Sequence, residues 1–414
     1  MFKAVLRVAS GNFLEMYDFM VFAYVASEIS RAYFPAESHF ASLMMTFATF
    51  GAGYLMRPFG ALILGSYIDR HGRRSGLLLT LSLMSVGTLV VAVMPGYQTI
   101  GLAAPLLVVI GRLVQGFSAG AELGAVSVYL AEIATPGREG FYVSWQSASQ
   151  QIAVMAAALL GVFLTQWLPP EAMEAWGWRI PLGIGCLIVP FLFWIRSGLV
   201  ETPKFLSSQQ HASAQALLKE LIRHWRLVLA GVGLGLMSSI SFYFITAYTP
   251  TFGREELHLT AMQSLLTTLM VGASNLFWLP ISGALSDRIG RKPILIMCTL
   301  AAVLTSYPVL LWLAASPGIG RLVAVELWLS FLYAAYNGAS ICYLTEIMPP
   351  RLRTTAFSIA YSFAVCGGGF TAFISTGLIK WTHNIATPGI WLAFAAACGL
   401  TATLGSRAYE SEGK

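Results

Sequence analysis

In the first half of the chain, five ionisable side chains stand in stretches that are otherwise apolar: Glu15, Asp18, Arg57, Arg112 and Glu122. A charge in such surroundings is costly, which makes each a functional candidate. Glu15 and Asp18 are three residues apart and would share one face of a helix. Arginine's planar fork holds a carboxylate through two parallel hydrogen bonds. Desolvation favours the neutral form of a carboxylic acid, and a neighbouring arginine favours the ionised form. An arginine engaged in turn by a protein carboxylate and by an anionic ligand would therefore exchange a proton for an anion. On this reading Arg112 is the first choice for ligand contact, and Asp18 or Glu15 carries the proton. Arg57 is a weaker ligand candidate that also suits a structural or coupling role. Glu122, among small residues, is a third acid for the proton and equally suits a gate or packing contact.

Neutral polar groups complete the set. Gln146, Ser149, Gln150 and Gln151 are denser in amides than packing requires, with Gln150 the favoured ligand contact. Farther along, Ser241, Tyr243, Thr246, Tyr248, Asn275, Tyr336, Asn337 and Ser340 are able to hydrogen-bond a carboxylate or hydroxyl. Each is also a suitable contact between helices.

The elements that hold these groups follow from composition. Hydrophobic residues make up 57% of the 414 positions and charged residues 11%, with a mean hydropathy of +0.70. That is membrane composition. About 20 apolar residues cross a bilayer as a helix. Twelve such stretches are expected, at residues 8–33, 41–68, 75–94, 102–128, 140–167, 177–196, 226–252, 261–286, 293–314, 321–347, 354–380 and 388–406. Glu15 and Asp18 then lie roughly 12 and 17 Å into the first span, and Arg112 roughly 15 Å into the fourth.

The chain also repeats itself. GSYIDRHGRR at 65–74 returns as GALSDRIGRK at 283–292, an offset of 218 residues, and YLAEIATP at 129–136 returns as YLTEIMPP at 343–350, an offset of 214. Two echoes at nearly half the chain length imply two halves on one plan. The polar segment 201–225 is expected to tether a six-helix bundle at 1–200 to another at 226–414, and its ALLKELI run suits a short amphipathic surface helix. With the first end inside, 18 of the 25 Lys and Arg residues fall on the inner side and 5 on the outer. This places both termini in the cytoplasm.

Other classes fit poorly. A net charge of +6 would suggest nucleic acid for a soluble protein, but here the bases follow the loops. The five cysteines show no metal spacing and read as small core residues. No phosphate loop, metal cluster or nucleophile with a nearby base argues for an enzyme. No cleavable leader is expected ahead of the first span, which contains acids of its own.

The repeated G-x-x-x-D-R-x-G-R-R loop resembles the major facilitator superfamily. The resemblance implies an all-α integral membrane fold, with twelve transmembrane helices in two pseudo-symmetric six-helix bundles. It makes Asp69, Arg70, Arg73, Asp287, Arg288 and Arg291 gate elements. Glu132 and Glu346, at the inner ends of spans four and ten, are a second pair of latches. Paired gates imply alternation between two closed shapes, which disfavours a channel. GNFLEMYDF at 11–19, MRPFG at 56–60, QGFSAGAE at 115–122, WGWRIP at 176–181 and ETP at 201–203 resemble the metabolite:proton symporter branch. Within it, FPAES at 34–38, GRLVQGFS at 111–118 and SWQSASQQ at 144–151 look most like the citrate and tricarballylate carriers. The resemblance implies proton-driven uptake of a small carboxylate by a monomer of the bacterial inner membrane, without a bound cofactor. Carriers of other organic acids or osmolytes are the rival, and a drug exporter a weaker one, since Arg112 does not suit a lipophilic cation.

Overall fold

The computed structural model describes residues 2–71, 73–120, 127–128, 130–131, 133–197, 222–348 and 353–406. The first half contributes α1 (Phe2–Tyr24, resuming as Ala26–Tyr33), α2 (His39–Leu55, then Arg57–His71) and α3 (Arg73–Val93). It continues with α4 (Ala103–Ala119), α5 (Glu139–Trp167) and α6 (Arg179–Ser197). The second half begins with α7 (Trp225–Tyr243), prolonged by π-helical turns at Phe244–Tyr248 and Phe252–Glu256. Then come α8 (Ala261–Ile289), α9 (Arg291–Ala315), α10 (Ile319–Ile347), α11 (Arg353–Gly369, then Thr371–Thr382) and α12 (Pro388–Gly405). Eight of the described helices are long and apolar enough to cross a bilayer, and three more, Leu78–Val93, Ala103–Ala119 and Arg179–Pro190, are shorter apolar helices. The acid-bearing α1 is the twelfth. It starts at Phe2, earlier than the apolar stretch at 8–33 suggested. Residues 201–221 of the expected tether, including its amphipathic run, lie outside the described residues.

Local chemistry sets the helix ends and breaks. Ser38 caps α2 by accepting from Ala41 N at 3.2 Å, and Thr260 with Gln263 forms a reciprocal capping box on α8. α2 is interrupted at Met56, two residues before Pro58. A proline has no amide to give the carbonyl four residues back. The Cys366 sulfur of α11 lies 3.2 Å from that carbonyl, Tyr54 O, and 3.2 Å from the Ser362 carbonyl of its own helix.

Packing shows the internal repeat directly. In the first half α1 lies against α5 and α6, α3 against α4 and α6, and α2 against α4. In the second, α7 lies against α11 and α12, α9 against α10 and α12, and α8 against α10. Shifting every helix number by six maps one set onto the other. The seam between halves obeys the same rule: α5 runs along α8, and α2 along α11. Call the side where α1 begins and α12 ends the terminal face, and the other the distal face.

Without a hydrophobic drive between helices in lipid, close backbone approach takes over. At Gly116 of α4 an added Cβ would collide with the Gly53 carbonyl of α2. At the seam, a Cβ on Gly140 of α5 or Gly283 of α8 would lie 2.6 or 2.5 Å from the other's carbonyl oxygen. We expect Gly116→Ala to destabilise by about 1–3 kcal/mol through overpacking, read as a lower midpoint of thermal unfolding of the purified protein. Gly183→Ala, whose Cβ meets nothing within 4 Å, should leave the midpoint unchanged. Equal midpoints for the two variants would contradict this account of the packing.

Candidate functional site

Four helices of the first half bring four of the five predicted charges together in the buried interior. α1 supplies Glu15 and Asp18 on one face, α2 supplies Arg57 just after its break, α3 supplies Thr88 and α4 supplies Arg112. Arg57 and Arg112 are 2% and 1% exposed. Arg57 Nη2 donates to Glu15 Oε1 at 2.7 Å, and Arg112 Nη1 donates to Asp18 Oδ2 at 3.1 Å. So each arginine has its own acid. Removing one member of such a pair strands the other's charge, a loss of about 3–5 kcal/mol.

A residue that sequence reasoning missed organises the second pair. Gln115 Nε2 donates to Asp18 Oδ2 at 2.8 Å and to Thr88 Oγ1 at 3.0 Å, while its Oε1 accepts from Arg112 Nη1 at 2.8 Å. Its spacing of three from Arg112 puts both on one helix face, which was the available signal. The aromatic cage was also missed. The Arg112 guanidinium lies 4.3 Å from the ring centres of Phe19 and Phe22 and 5.4 Å from Phe50, and that of Arg57 lies 4.6 Å from Tyr54. Ring faces stabilise a desolvated cation without consuming its N–H donors.

Those donors remain available. Arg112 Nε and Nη2, Arg57 Nε and the Tyr54 hydroxyl are buried and have no hydrogen-bond partner among the described residues. Nε and Nη2 form one edge of the guanidinium, the geometry that grips a carboxylate at two points. Buried polar groups are ordinarily satisfied. A cluster of unmet donors beside two arginines suits an anion.

The second half faces these charges with neutral groups. The Tyr243 ring lies 5.1 Å from the Tyr54 ring, and Phe242 beside it contacts Tyr333. Asn337 Nδ2 donates to Tyr333 OH at 3.3 Å while its Oδ1 has no partner among the described residues. Asn275 is committed to the seam: its Nδ2 donates to Gln151 Oε1 of α5 at 3.1 Å, and its Oδ1 accepts from Ser330 at 2.7 Å. Tyr336 donates to Leu234 O at 3.0 Å, a contact between α10 and α7. In α5, Gln146 accepts from Ser147 and Ser149 donates to the Gln146 carbonyl. Gln150 is buried and makes no side-chain hydrogen bond among the described residues.

Of the expected gate groups, Asp287, Arg291 and Glu346 come together at the terminal face. The Asp287 carboxylate accepts from the Gly140 and Phe141 amides at 2.8 and 2.9 Å, so an α8 acid caps the first turn of α5. Arg291 holds it in place, donating to Asp287 at 2.6 Å and to Glu346 at 3.1 Å. Arg288 is exposed and outside this cluster. Glu122 and Glu132, and the side chains of Asp69, Arg70 and Arg73, lie outside the described residues. A distal counterpart was not foreseen. Arg254 at the end of α7 donates to Glu28 of α1 at 3.0 Å, and Glu255 accepts from Ser27 at 2.9 Å and pairs with His39 at 3.1 Å. A cavity of about 280 Å³ adjoins this latch, lined by Tyr24, Glu28, Glu174 and Arg254 among others. Both latches are made in the same conformation.

The chain matches the family profile described as Major Facilitator Superfamily over residues 8–372 and again over 280–412. It is 55% identical over 403 residues to a citrate-proton symporter of Salmonella typhi, covering 97% of this chain and 93% of that one. It is 57% identical over 401 residues to a citrate-proton symporter of Klebsiella pneumoniae, covering 97% and 90%. In fold it is similar to a partially occluded, inward-open structure of the xylose transporter XylE from E. coli, with a TM-score of 0.77, 19% identity and 97% of each chain covered.

The Asp287 cap generates a direct expectation. In Asp287→Ala the Gly140 and Phe141 amides lose a charge-assisted acceptor worth about 1.5–3 kcal/mol. Their hydrogen exchange should accelerate by about tenfold or more, measured by mass spectrometry on the purified protein, while amides at the centre of α5 stay protected. Unchanged exchange at both positions would remove Asp287 from the latch.

Proposed function

This chain belongs to the Major Facilitator Superfamily, and from that premise we propose that it is a secondary active transporter importing a tricarboxylate, citrate or tricarballylate, together with protons. The observation that carries the reading is the unmet Nε and Nη2 edge of Arg112, buried beside Asp18 in a layer of aromatic rings. Identity above one half to two citrate-proton symporters supports the cargo class. The terminal face is the cytoplasmic one, since the Lys and Arg residues concentrate there, and the membrane is the bacterial inner membrane.

The mechanism follows from which partner Arg112 holds. In the closed conformation Asp18 and Gln115 occupy its Nη1 side. A substrate carboxylate arriving from the distal side takes the Nε and Nη2 edge, the Tyr54 hydroxyl and Arg57 Nε offer further donors, and Gln150, Tyr243 and Asn337 are placed to bind the remaining oxygens. Charge added to the arginine's surroundings lets Asp18 accept a proton. The bundles 1–200 and 226–414, joined by 201–225, then rock about the α2–α11 and α5–α8 seams. Once the terminal latch of Asp287, Arg291 and Glu346 releases, substrate leaves, Asp18 returns its proton to the cytoplasm and again neutralises Arg112. Glu15 and Arg57 remain paired as the second layer. The driving force is the proton gradient, with no bound cofactor and no catalysed reaction, and one chain suffices.

Uptake of radiolabelled citrate and, separately, tricarballylate into proteoliposomes tests this. Accumulation should require an inward proton gradient and fall about ten- to a hundredfold in Arg112→Ala, the loss expected for a charge-assisted pair. Asp18→Asn should keep exchange of internal for external substrate while losing uphill accumulation. Failure of the folded wild type to take up either compound would overturn the cargo assignment and turn attention to dicarboxylates, monocarboxylates and betaine. Loss of substrate binding itself in Asp18→Asn would overturn the assigned role of that carboxylate.

A further inference from the structure

Among the described residues, the second half contains one buried acid that the transport cycle above does not use. Glu326 lies in α10, about 11 Å from its distal end, and is fully buried. Its Oε1 is 2.9 Å from Thr249 Oγ1, and its Oε2 has no hydrogen-bond partner among the described residues. Thr249 Oγ1 also lies 3.1 Å from the Phe244 carbonyl oxygen, at the start of the π-helical turn in α7.

The surroundings decide the protonation state. A threonine hydroxyl has one hydrogen to give, and the Phe244 carbonyl already accepts the Thr249 amide across the π-helical turn. An ionised Glu326 would have at most that one hydrogen bond for its two oxygens, whereas a neutral acid donates to Thr249 Oγ1 and leaves the Thr249 hydroxyl to the Phe244 carbonyl. Among the described residues no cation is paired with it. On α10 itself Arg321 donates to Trp312 O, and Glu346 sits at the terminal end. On α7, Arg254 and Glu255 are engaged with the first half and Glu256 ends the second π turn, while Arg226 sits at the terminal end. The charges of α5, α8 and α9, namely Glu139, Asp287, Arg288, Arg291 and Lys292, are all at their terminal ends. On α11, Arg353 begins the helix and Lys380 lies over the Phe40 ring. An isolated carboxylate without a cation in such a place neutralises.

We infer that Glu326 is a second proton-binding site, in the second half of the molecule, occupied in this closed conformation and holding the π-helical part of α7 through Thr249. That part of α7 leads directly to Arg254 and Glu255, the residues that close the distal face against α1 and His39. Proton loss would turn the Thr249 hydroxyl from the Phe244 carbonyl to the carboxylate, leaving that carbonyl the Thr249 amide alone and weakening the hold on the segment that carries the distal latch. The step makes and breaks an O–H bond alone, with the proton exchanged with water. Its place in transport rests on the proton-coupled reading above; the protonation itself does not.

Infrared difference spectroscopy of the purified, substrate-free protein reads the protonation without any transport. The wild type at neutral pH should show a C=O stretching band of a protonated carboxylic acid that disappears in Glu326→Gln and shifts in frequency in Thr249→Val. A wild-type spectrum with no band sensitive to Glu326→Gln, in variants with native thermal stability, would overturn the site. The coupling is read separately in proteoliposomes, as the number of protons moved per substrate obtained from the reversal potential. Glu326→Gln, whose amide preserves the donor to Thr249, should move one proton fewer than the wild type. A ratio identical to the wild type would overturn the role in coupling. A wild type that moves neither tricarboxylate would count against the cargo assignment alone, and the infrared result would still decide the site.

Discussion

The structure depends on a guanidinium buried where no water can reach it. Arg112, in a layer of phenylalanine rings, must always have an anionic or strongly polar partner, because an isolated charge in low dielectric is far costlier than any packing gain there. Asp18 and Gln115 are that partner in the present conformation. On the proposed reading a second anion is bound on condition that the first is neutralised, and neutralising a carboxylate means adding a proton. The coupling proposed for Arg112 and Asp18 then follows from this constraint on charge. Arg57 and Glu15 extend the same arrangement one layer toward the terminal face.

Alternation of access needs a closure at each face, and the fold builds both between its two halves. At the terminal face an acid of α8 caps α5 across the seam, held by an arginine that begins α9. At the distal face the end of α7 pairs with the bend in α1 and the start of α2. Glycines at 140 and 283 let the seam helices touch along their backbones, so a small rotation there becomes a large opening at either end. The π-helical turns in α7 supply local deformability near the distal closure, where Glu326 and Thr249 sit.

Much of this was legible in the chain. Apolar length alone placed the spans, and the 65–74 and 283–292 echo anticipated the helix-by-helix equivalence of the two halves. Charges inside spans marked Glu15, Asp18, Arg57 and Arg112 without any structure, because a bilayer tolerates such groups at few places. Their pairing was not legible: hydropathy says that Arg112 needs an acid, but choosing Asp18 over Glu15 requires the rotation of α1 against α4. Gln115 escaped because a neutral amide carries no signature of burial, and the aromatic cage escaped because Phe19, Phe22 and Phe50 read as ordinary lipid-span residues. The distal latch was hidden by loop composition, since Glu28, Arg254 and Glu255 look like solvated ends until the halves close on one another.

The central claim is that a carboxylate ligand on Arg112 and a proton on Asp18 arrive together. Isothermal titration calorimetry of citrate into the purified protein, repeated in buffers of different ionisation enthalpy, measures the protons taken up on binding. The account predicts about one proton bound per citrate in the wild type and its loss in Asp18→Asn, with Asp18→Asn still binding citrate. Citrate binding with no proton uptake in the wild type, or with the same uptake in Asp18→Asn, would contradict it.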